Sequence, residues 1–249
     1  MRAYFHQKIP GLICLLTFAT LMSGILMIYP QANLTGSVSD VTGSLFTALT
    51  HSAGNPGFLI TVSLLLLIPI ARKSTKQEVM KVACQFAILL IMSFATKTTL
   101  KHITEVARPY TYELQALNLI DSPESFYALD QAQKDKVVEL AQASVSHWRI
   151  AHWQGETNYS LPSGHSIFAA VCIAFWGGYL LRRKHWIATA AIITWGIGVG
   201  FSRIWLGMHW PSDIIASILA AALLYLFTPE FLNTPLFNPR QAPAVNGNS

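Results

Sequence analysis

Charge is scarce in this sequence: Asp, Glu, Lys and Arg make up 12% of its 249 residues, about half the share of an ordinary soluble domain. So few charges cannot keep a chain that is 52% hydrophobic in water, and the excess apolar content belongs in lipid. Cysteine is sparse as well. Cys14, Cys84 and Cys172 each lie in an apolar segment, which argues against a disulfide framework or a metal site and predicts buried free thiols. Lys and Arg are absent from 31–56, a stretch rich in Ser, Thr, Gly and Asn that reads as a polar loop. The formal charge of +5 is split between short basic clusters beside apolar runs and a few residues of a candidate site. That distribution argues against nucleic acid as a partner.

What is present is a series of apolar runs. Six spans are predicted, at about 11–28, 54–71, 79–100, 164–181, 186–205 and 212–227, giving an all-α integral membrane protein folded as one domain over 1–249. The first run follows Arg2 and Lys8 but is long for a signal peptide, with no clear small-residue cleavage site, so it is read as an uncleaved span. Gly196, Gly198 and Gly200 give the fifth span a small-residue face suited to close helix contact. Pro211 suits the first turn of the sixth. Residues 101–161 break the membrane pattern and form the sizeable polar piece, with an amphipathic helix or helix pair expected between Ser125 and Trp148. The tail at 229–249, rich in Pro, Asn and Ala, reads as disordered.

Arg2 and Lys8, then Arg72, Lys73, Lys76 and Lys81, then Arg182, Arg183 and Lys184 all fall on one side of this arrangement. The positive-inside rule makes that side cytoplasmic. Both termini are then cytoplasmic, and 31–56, 101–161 and the turn at Gly207 lie on the opposite, periplasmic face.

Three stretches on that face carry chemistry: Lys101 with Arg108-Pro109, Pro162-Ser163-Gly164-His165, and Ser202-Arg203 followed by His209 and Asp213. A phosphate ester repels nucleophiles until its oxygens are neutralised, and Lys101, Arg108 and Arg203 offer two forked cations and one compact one for that purpose. Ser163 and Gly164 stand where a helix begins, and free N–H groups there attract anions. His209 precedes Asp213 by four residues, so the carboxylate can fix the ring tautomer and leave the other nitrogen free to attack. His165 is then the general acid and base. No metal or other cofactor is required by this set. His51, His102, His147, His152 and His185 lack such company and read as solvent or interface residues, and Glu156, close before Pro162-Ser163-Gly164-His165, reads as a surface carboxylate, with contact to the substrate as the alternative.

The ordered set of Lys101, six residues, Arg108-Pro109; Pro162-Ser163-Gly164-His165; and Ser202-Arg203, five residues, His209, three residues, Asp213 resembles the three-part signature of the type 2 phosphatidic acid phosphatases. The resemblance implies a helical bundle with its site at the periplasmic surface of a bacterial inner membrane. It assigns nucleophile to His209, its orienting carboxylate to Asp213, acid–base work to His165, and phosphate binding to Lys101, Arg108, Ser163, Gly164 and Arg203. It also implies lipid substrates: phosphatidylglycerol phosphate, undecaprenyl diphosphate, phosphatidate, lysophosphatidate or diacylglycerol pyrophosphate. A dedicated undecaprenyl diphosphate phosphatase and a non-catalytic lipid-phosphate-binding protein are the competing readings. The sequence carries no sign of an obligate protein partner.

Overall fold

A computed structural model describes residues 2–230; the tail from residue 231 onward, expected to be disordered, lies outside the described residues. The chain is helical, with no strand among the described residues. In order it runs through α1 (Arg2–Ile28), α2 (Asp40–Ser52), α3 (Phe58–Ala71) and α4 (Lys76–Thr104). The shorter α5 (Pro109–Ala116), α6 (Pro123–Ala128), α7 (Gln131–Leu140) and α8 (His147–Trp153) follow. Next come α9 (Gly164–Cys172), a π turn (Ile173–Gly177), α10 (Gly178–Arg182), α11 (Trp186–Trp205) and α12 (Pro211–Phe227).

Among the described residues, four helical stretches are long and apolar enough to cross a membrane: Phe5–Ile28, Lys76–Thr104, Gly164–Arg182 and Trp186–Trp205. Two apolar helices, α3 and α12, are shorter at 14 and 17 residues. The stretch Gly164–Arg182 is the axis of the bundle, since every residue from Ser166 to Leu180 is buried. Ala169, Ala170, Ala174, Gly177 and Gly178 let neighbouring backbones come near, and α1, α4, α11 and α12 all pack on this axis. Where lipid replaces water, such close van der Waals packing does much of the work of association. The glycine face of α11 is used as its sequence suggests: Gly196 meets Ile173, Gly198 meets Leu49 of α2, and Gly200 meets Met22 of α1.

A second apolar cluster lies over one end of the bundle. Tyr110, Leu114, Phe126, Val138, Ile150 and Trp153 pack there with Leu34, Leu206 and Met208. Its helices begin where local chemistry starts them: Ser122 and Asp130 each form a reciprocal capping box, at α6 and α7, satisfying backbone donors that a helix start leaves open. The Asp130 cap divides the segment expected to hold one helix or a pair. This roof is bolted to the turn between α11 and α12. Trp153 donates to the Leu206 carbonyl at 2.7 Å, while Arg149 donates to the carbonyls of Trp205 and Leu34 at 3.2 and 2.8 Å.

Two expectations need correction. Residues 31–56 are not a loop throughout, because Ser39 caps α2 through the Thr42 N–H, and Leu49 and Phe46 pack against α11 through Gly198 and Trp205. Cys84 is exposed on α4, whereas Cys14 and Cys172 are buried as expected; an apolar segment here has a lipid side as well as a core side.

At the opposite end Lys8 is fully buried, 2.9 Å from the Glu230 carboxylate and 2.7 Å from the Thr228 carbonyl, with its ammonium 4.4 Å from the centre of the Tyr225 ring. This joins the first helix to the segment after the last.

Candidate functional site

Helix ends bring the chemical residues together. Lys101 occupies the last turn of α4, Arg108 stands just before α5, and Ser163 caps α9 with Gly164 and His165 in its first turn. Arg203 lies in the last turn of α11 and Asp213 in the first turn of α12. Between them the chain reverses through Gly207 at φ +70°, a conformation that costs glycine little, and sets His209 inward at 2% exposure.

Nδ1 of His209 is 3.2 Å from Oδ2 of Asp213, and the same oxygen accepts the Trp210 N–H at 2.9 Å. With Nδ1–H donated to the carboxylate, Nε2 carries the lone pair, and Nε2 lies 3.4 Å from Nη1 of Arg108. Burial lowers the His209 pKa, and the nearby Arg108, Arg203 and Lys101 lower it further, to well below the ordinary imidazole value. The ring is therefore neutral at neutral pH, the form able to attack.

The arginines are held from several sides. Arg108 donates through Nε to the Asn158 carbonyl at 2.7 Å, through Nη2 to the Asn158 side-chain oxygen at 2.6 Å, and through Nη1 to the Met208 carbonyl at 3.0 Å. Lys101 donates to the Tyr159 carbonyl and to Asn158. Arg203, fully buried, donates to Thr50 and to Glu156; its Nε finds no hydrogen-bond partner among the described residues. A buried donor without a partner is costly, and here it belongs to a cation paired with Glu156, which lines a cavity.

That cavity has a volume of about 490 Å³. Lys101, Arg108, Glu156, Gly164, His165 and His209 line one end, while Phe58, Leu59, Leu90, Phe94, Ile167 and Phe168 line the other. Cations and imidazoles thus share a space with apolar side chains of α3, α4 and α9, the rest of the lining including Asn55, Ser93, Lys97 and Asn158. Such a space suits a molecule with a phosphate at one end and hydrocarbon at the other.

Ser163 is buried and turned inward to the bundle. Its Oγ accepts from Ser166 and its N–H donates to Ser217 Oγ at 3.0 Å, so the N–H expected to be free for an anion is engaged by α12.

Glu156 is not the surface carboxylate expected. Its Oε2 lies 3.0 Å from Arg203 and 3.3 Å from Arg108, and the 37% of its side chain that stays exposed lines the cavity. Burial pushes its pKa up, but Arg203 and Arg108, with His165 and Lys101, outweigh burial and hold the carboxyl below the usual range. His152 is likewise no solvent residue. It is 8% exposed, 3.1 Å from Thr47 Oγ1, and in ring contact with His51. Asn158 and Thr50 belong to no motif that marks them in the sequence, and each accepts from an arginine through an oxygen.

The sequence profile described as the PAP2 superfamily matches residues 82–235. Phosphatidylglycerophosphatase B of Haemophilus influenzae is 34% identical over 193 residues, covering 74% of this chain and 79% of that protein. Phosphatidylglycerophosphatase B of Escherichia coli is 32% identical over 166 residues, 64% of each chain. An undecaprenyl-diphosphatase of Sulfolobus acidocaldarius is 31% identical over 78 residues, or 31% of this chain and 36% of that protein.

Proposed function

The chain belongs to the PAP2 superfamily, and from that premise we propose that it is a bacterial inner-membrane lipid phosphatase releasing the terminal phosphate of phosphatidylglycerol phosphate. Related lipid phosphates and diphosphates, including undecaprenyl diphosphate, phosphatidate, lysophosphatidate and diacylglycerol pyrophosphate, are further substrates. The observation that carries the reading is the two-ended cavity, with cations and histidines at one end and apolar helix faces at the other. In this reading α3 and α12 complete six spans, both termini are cytoplasmic, and the site with its roof of α5–α8 faces the periplasm. The basic clusters at 72–81 and 182–184, at the far end of the spans from the site, support that orientation.

The reaction proceeds in two displacements. The terminal phosphate sits against Lys101, Arg108 and Arg203 and the first turn of α9 at Gly164, while Ser163, engaged by Ser217, holds that turn in place. Nε2 of His209 attacks phosphorus while Asp213 accepts the Nδ1–H bond and stabilises the cation formed. His165 gives a proton to the departing lipid oxygen, and a phosphohistidine remains on His209. Water then attacks that phosphorus, its proton passing to His165, and the N–P bond breaks to release inorganic phosphate. The three cations supply the charge stabilisation, so turnover needs no metal ion. A positioned acid of this kind contributes about 10²–10⁴-fold.

The test is phosphate release by the purified, detergent-solubilised chain in excess EDTA, with phosphatidylglycerol phosphate and undecaprenyl diphosphate offered side by side. Release from both is expected. Release from the prenyl substrate alone would make it a dedicated recycling enzyme, and no release from either would leave a lipid-phosphate-binding protein.

A further inference from the structure

The end of α2 and the turn joining it to α3 lie outside the matched residues 82–235, yet both reach the site. Thr50 is 1% exposed, and its hydroxyl oxygen accepts from Nη1 of Arg203 at 2.5 Å. Four residues on, Gly54 lines the cavity against His165. A methyl group built on Gly54 would overlap Nε2 of the His165 ring and stand 2.8 Å from its Cδ2. The atoms in the way belong to the ring and not to any backbone. A side chain there would therefore cost the placement of the imidazole before it cost the fold.

The turn is itself fixed. Trp195 of α11 donates to Ser52 Oγ at 2.8 Å, Ser52 Oγ donates to the Leu49 carbonyl at 2.6 Å, and Thr61 of α3 donates to the Ser52 carbonyl at 2.6 Å. Leu49 rests on Gly198 of the same α11 that carries Arg203. Thr50 thus approaches the guanidinium from a rigid neighbour. A hydroxyl also differs from a carboxylate in what it leaves behind: it orients the fork of donors without cancelling the charge. Glu156 pairs with Arg203 through its charge, whereas Thr50 can hold the guanidinium while that charge is turned toward a phosphate.

We propose that Thr50 and Gly54 are positioning residues, Thr50 for the guanidinium of Arg203 and Gly54 for the imidazole of His165. The α2–α3 turn then sets where the phosphate-binding cation stands relative to the acid–base group. This rests on the phosphatase reading of the site.

The experiment uses the full chain in detergent, with two readouts: hydrolysis of phosphatidylglycerol phosphate, and calorimetric binding of inorganic phosphate, which needs no turnover. Thr50→Val keeps the shape and removes the acceptor. It is expected to weaken phosphate binding and kcat/KM by about tenfold, the scale of one hydrogen bond to a charged group, with both restored in Thr50→Ser. Gly54→Ala is expected to lower kcat at least about tenfold, as loss of a well-placed proton donor does, while phosphate affinity stays at the wild-type level. Wild-type affinity and kcat/KM in Thr50→Val, or wild-type kcat in Gly54→Ala, would overturn the corresponding half. Should Gly54→Ala not fold, Gly54→Ala with His165→Ala removes the overlap and is expected to fold; failure of both would overturn the Gly54 assignment. If the wild-type chain binds phosphate but releases none from lipid, the phosphatase reading fails, and the binding comparison of Thr50→Val with Thr50→Ser still decides the Arg203 half.

Discussion

The carboxylate of Glu156 lies 3.0 Å from the guanidinium of Arg203 and also reaches Arg108 at 3.3 Å. One acidic side chain thus pairs with two cations, and offsets part of their charge, at the point where a phosphate would need them. Glu156→Gln removes this competitor, so inorganic phosphate is expected to inhibit the variant at severalfold lower concentration. The same change leaves two buried guanidinium groups facing each other. Allowing for the partial exposure of Glu156, a loss of about 1–2 kcal/mol is expected, visible as a melting temperature lower by a few degrees. Unchanged phosphate inhibition would mean that the carboxylate does not compete for the anion.

His209→Ala is expected to abolish hydrolysis while phosphate binding persists, because binding relies on the cations. The pH profile tests the same group. Its pKa is lowered by burial and by Arg108, Arg203 and Lys101, so the neutral, attacking form persists as pH falls through the ordinary imidazole range near 6.5. The acid limb of kcat/KM for the wild-type chain should therefore lie below that value, and Arg108→Ala should raise it. A wild-type limb at or above about 6.5 that Arg108→Ala leaves in place would contradict the assignment.

His152 offers a stability test. Burial, then Arg203 and His51, press its pKa down to about 4, so the folded state binds fewer protons than the unfolded one between about 6.5 and 4. Stability from this group is intact above the unfolded value and is lost as pH falls through that window. The loss amounts to about 3 kcal/mol at most, taking ~2.5 units at 1.36 kcal/mol each. His152→Gln should flatten the dependence of melting temperature on pH across the window. A slope equal to that of the wild type would mean that other groups carry it.

The apolar end of the cavity has its own test. Leu59→Trp adds bulk beside Phe58 and Phe94, where the lining is hydrocarbon. It is expected to raise KM severalfold for a long-tailed lipid phosphate and to leave hydrolysis of a water-soluble phosphate ester unaltered. Equal effects on both substrates would mean that the tail does not lie there.

The parts of this site that could be read in the sequence are those whose meaning is local. The four-residue step from His209 to Asp213 predicts their contact, and the contact is present at 3.2 Å. Pro211 marks the first turn of α12 as read. Thr50, Asn158 and Glu156 acquire their positions only when distant helices meet, so composition could not separate them from surface polar residues. Helix α2 had a signal that its polarity hid: a capping Ser39, then Leu45, Phe46 and Leu49 at helical spacing. The engaged N–H of Ser163 depends on Ser217 arriving from α12, 54 residues later.

Lys8 has a consequence for the order in which the molecule can be completed. The carboxylate, carbonyl and ring that surround its ammonium belong to Glu230, Thr228 and Tyr225, more than two hundred residues later in synthesis. While the chain is being made, the first helix therefore enters the bilayer with a cation whose final housing does not yet exist, and an unpaired charge favours water. The end that carries Lys8 must stay at the aqueous surface until α12 has followed. The bundle then closes on α1 only after α12 has been made, and closure draws that charge out of water only when the chain is long enough to receive it.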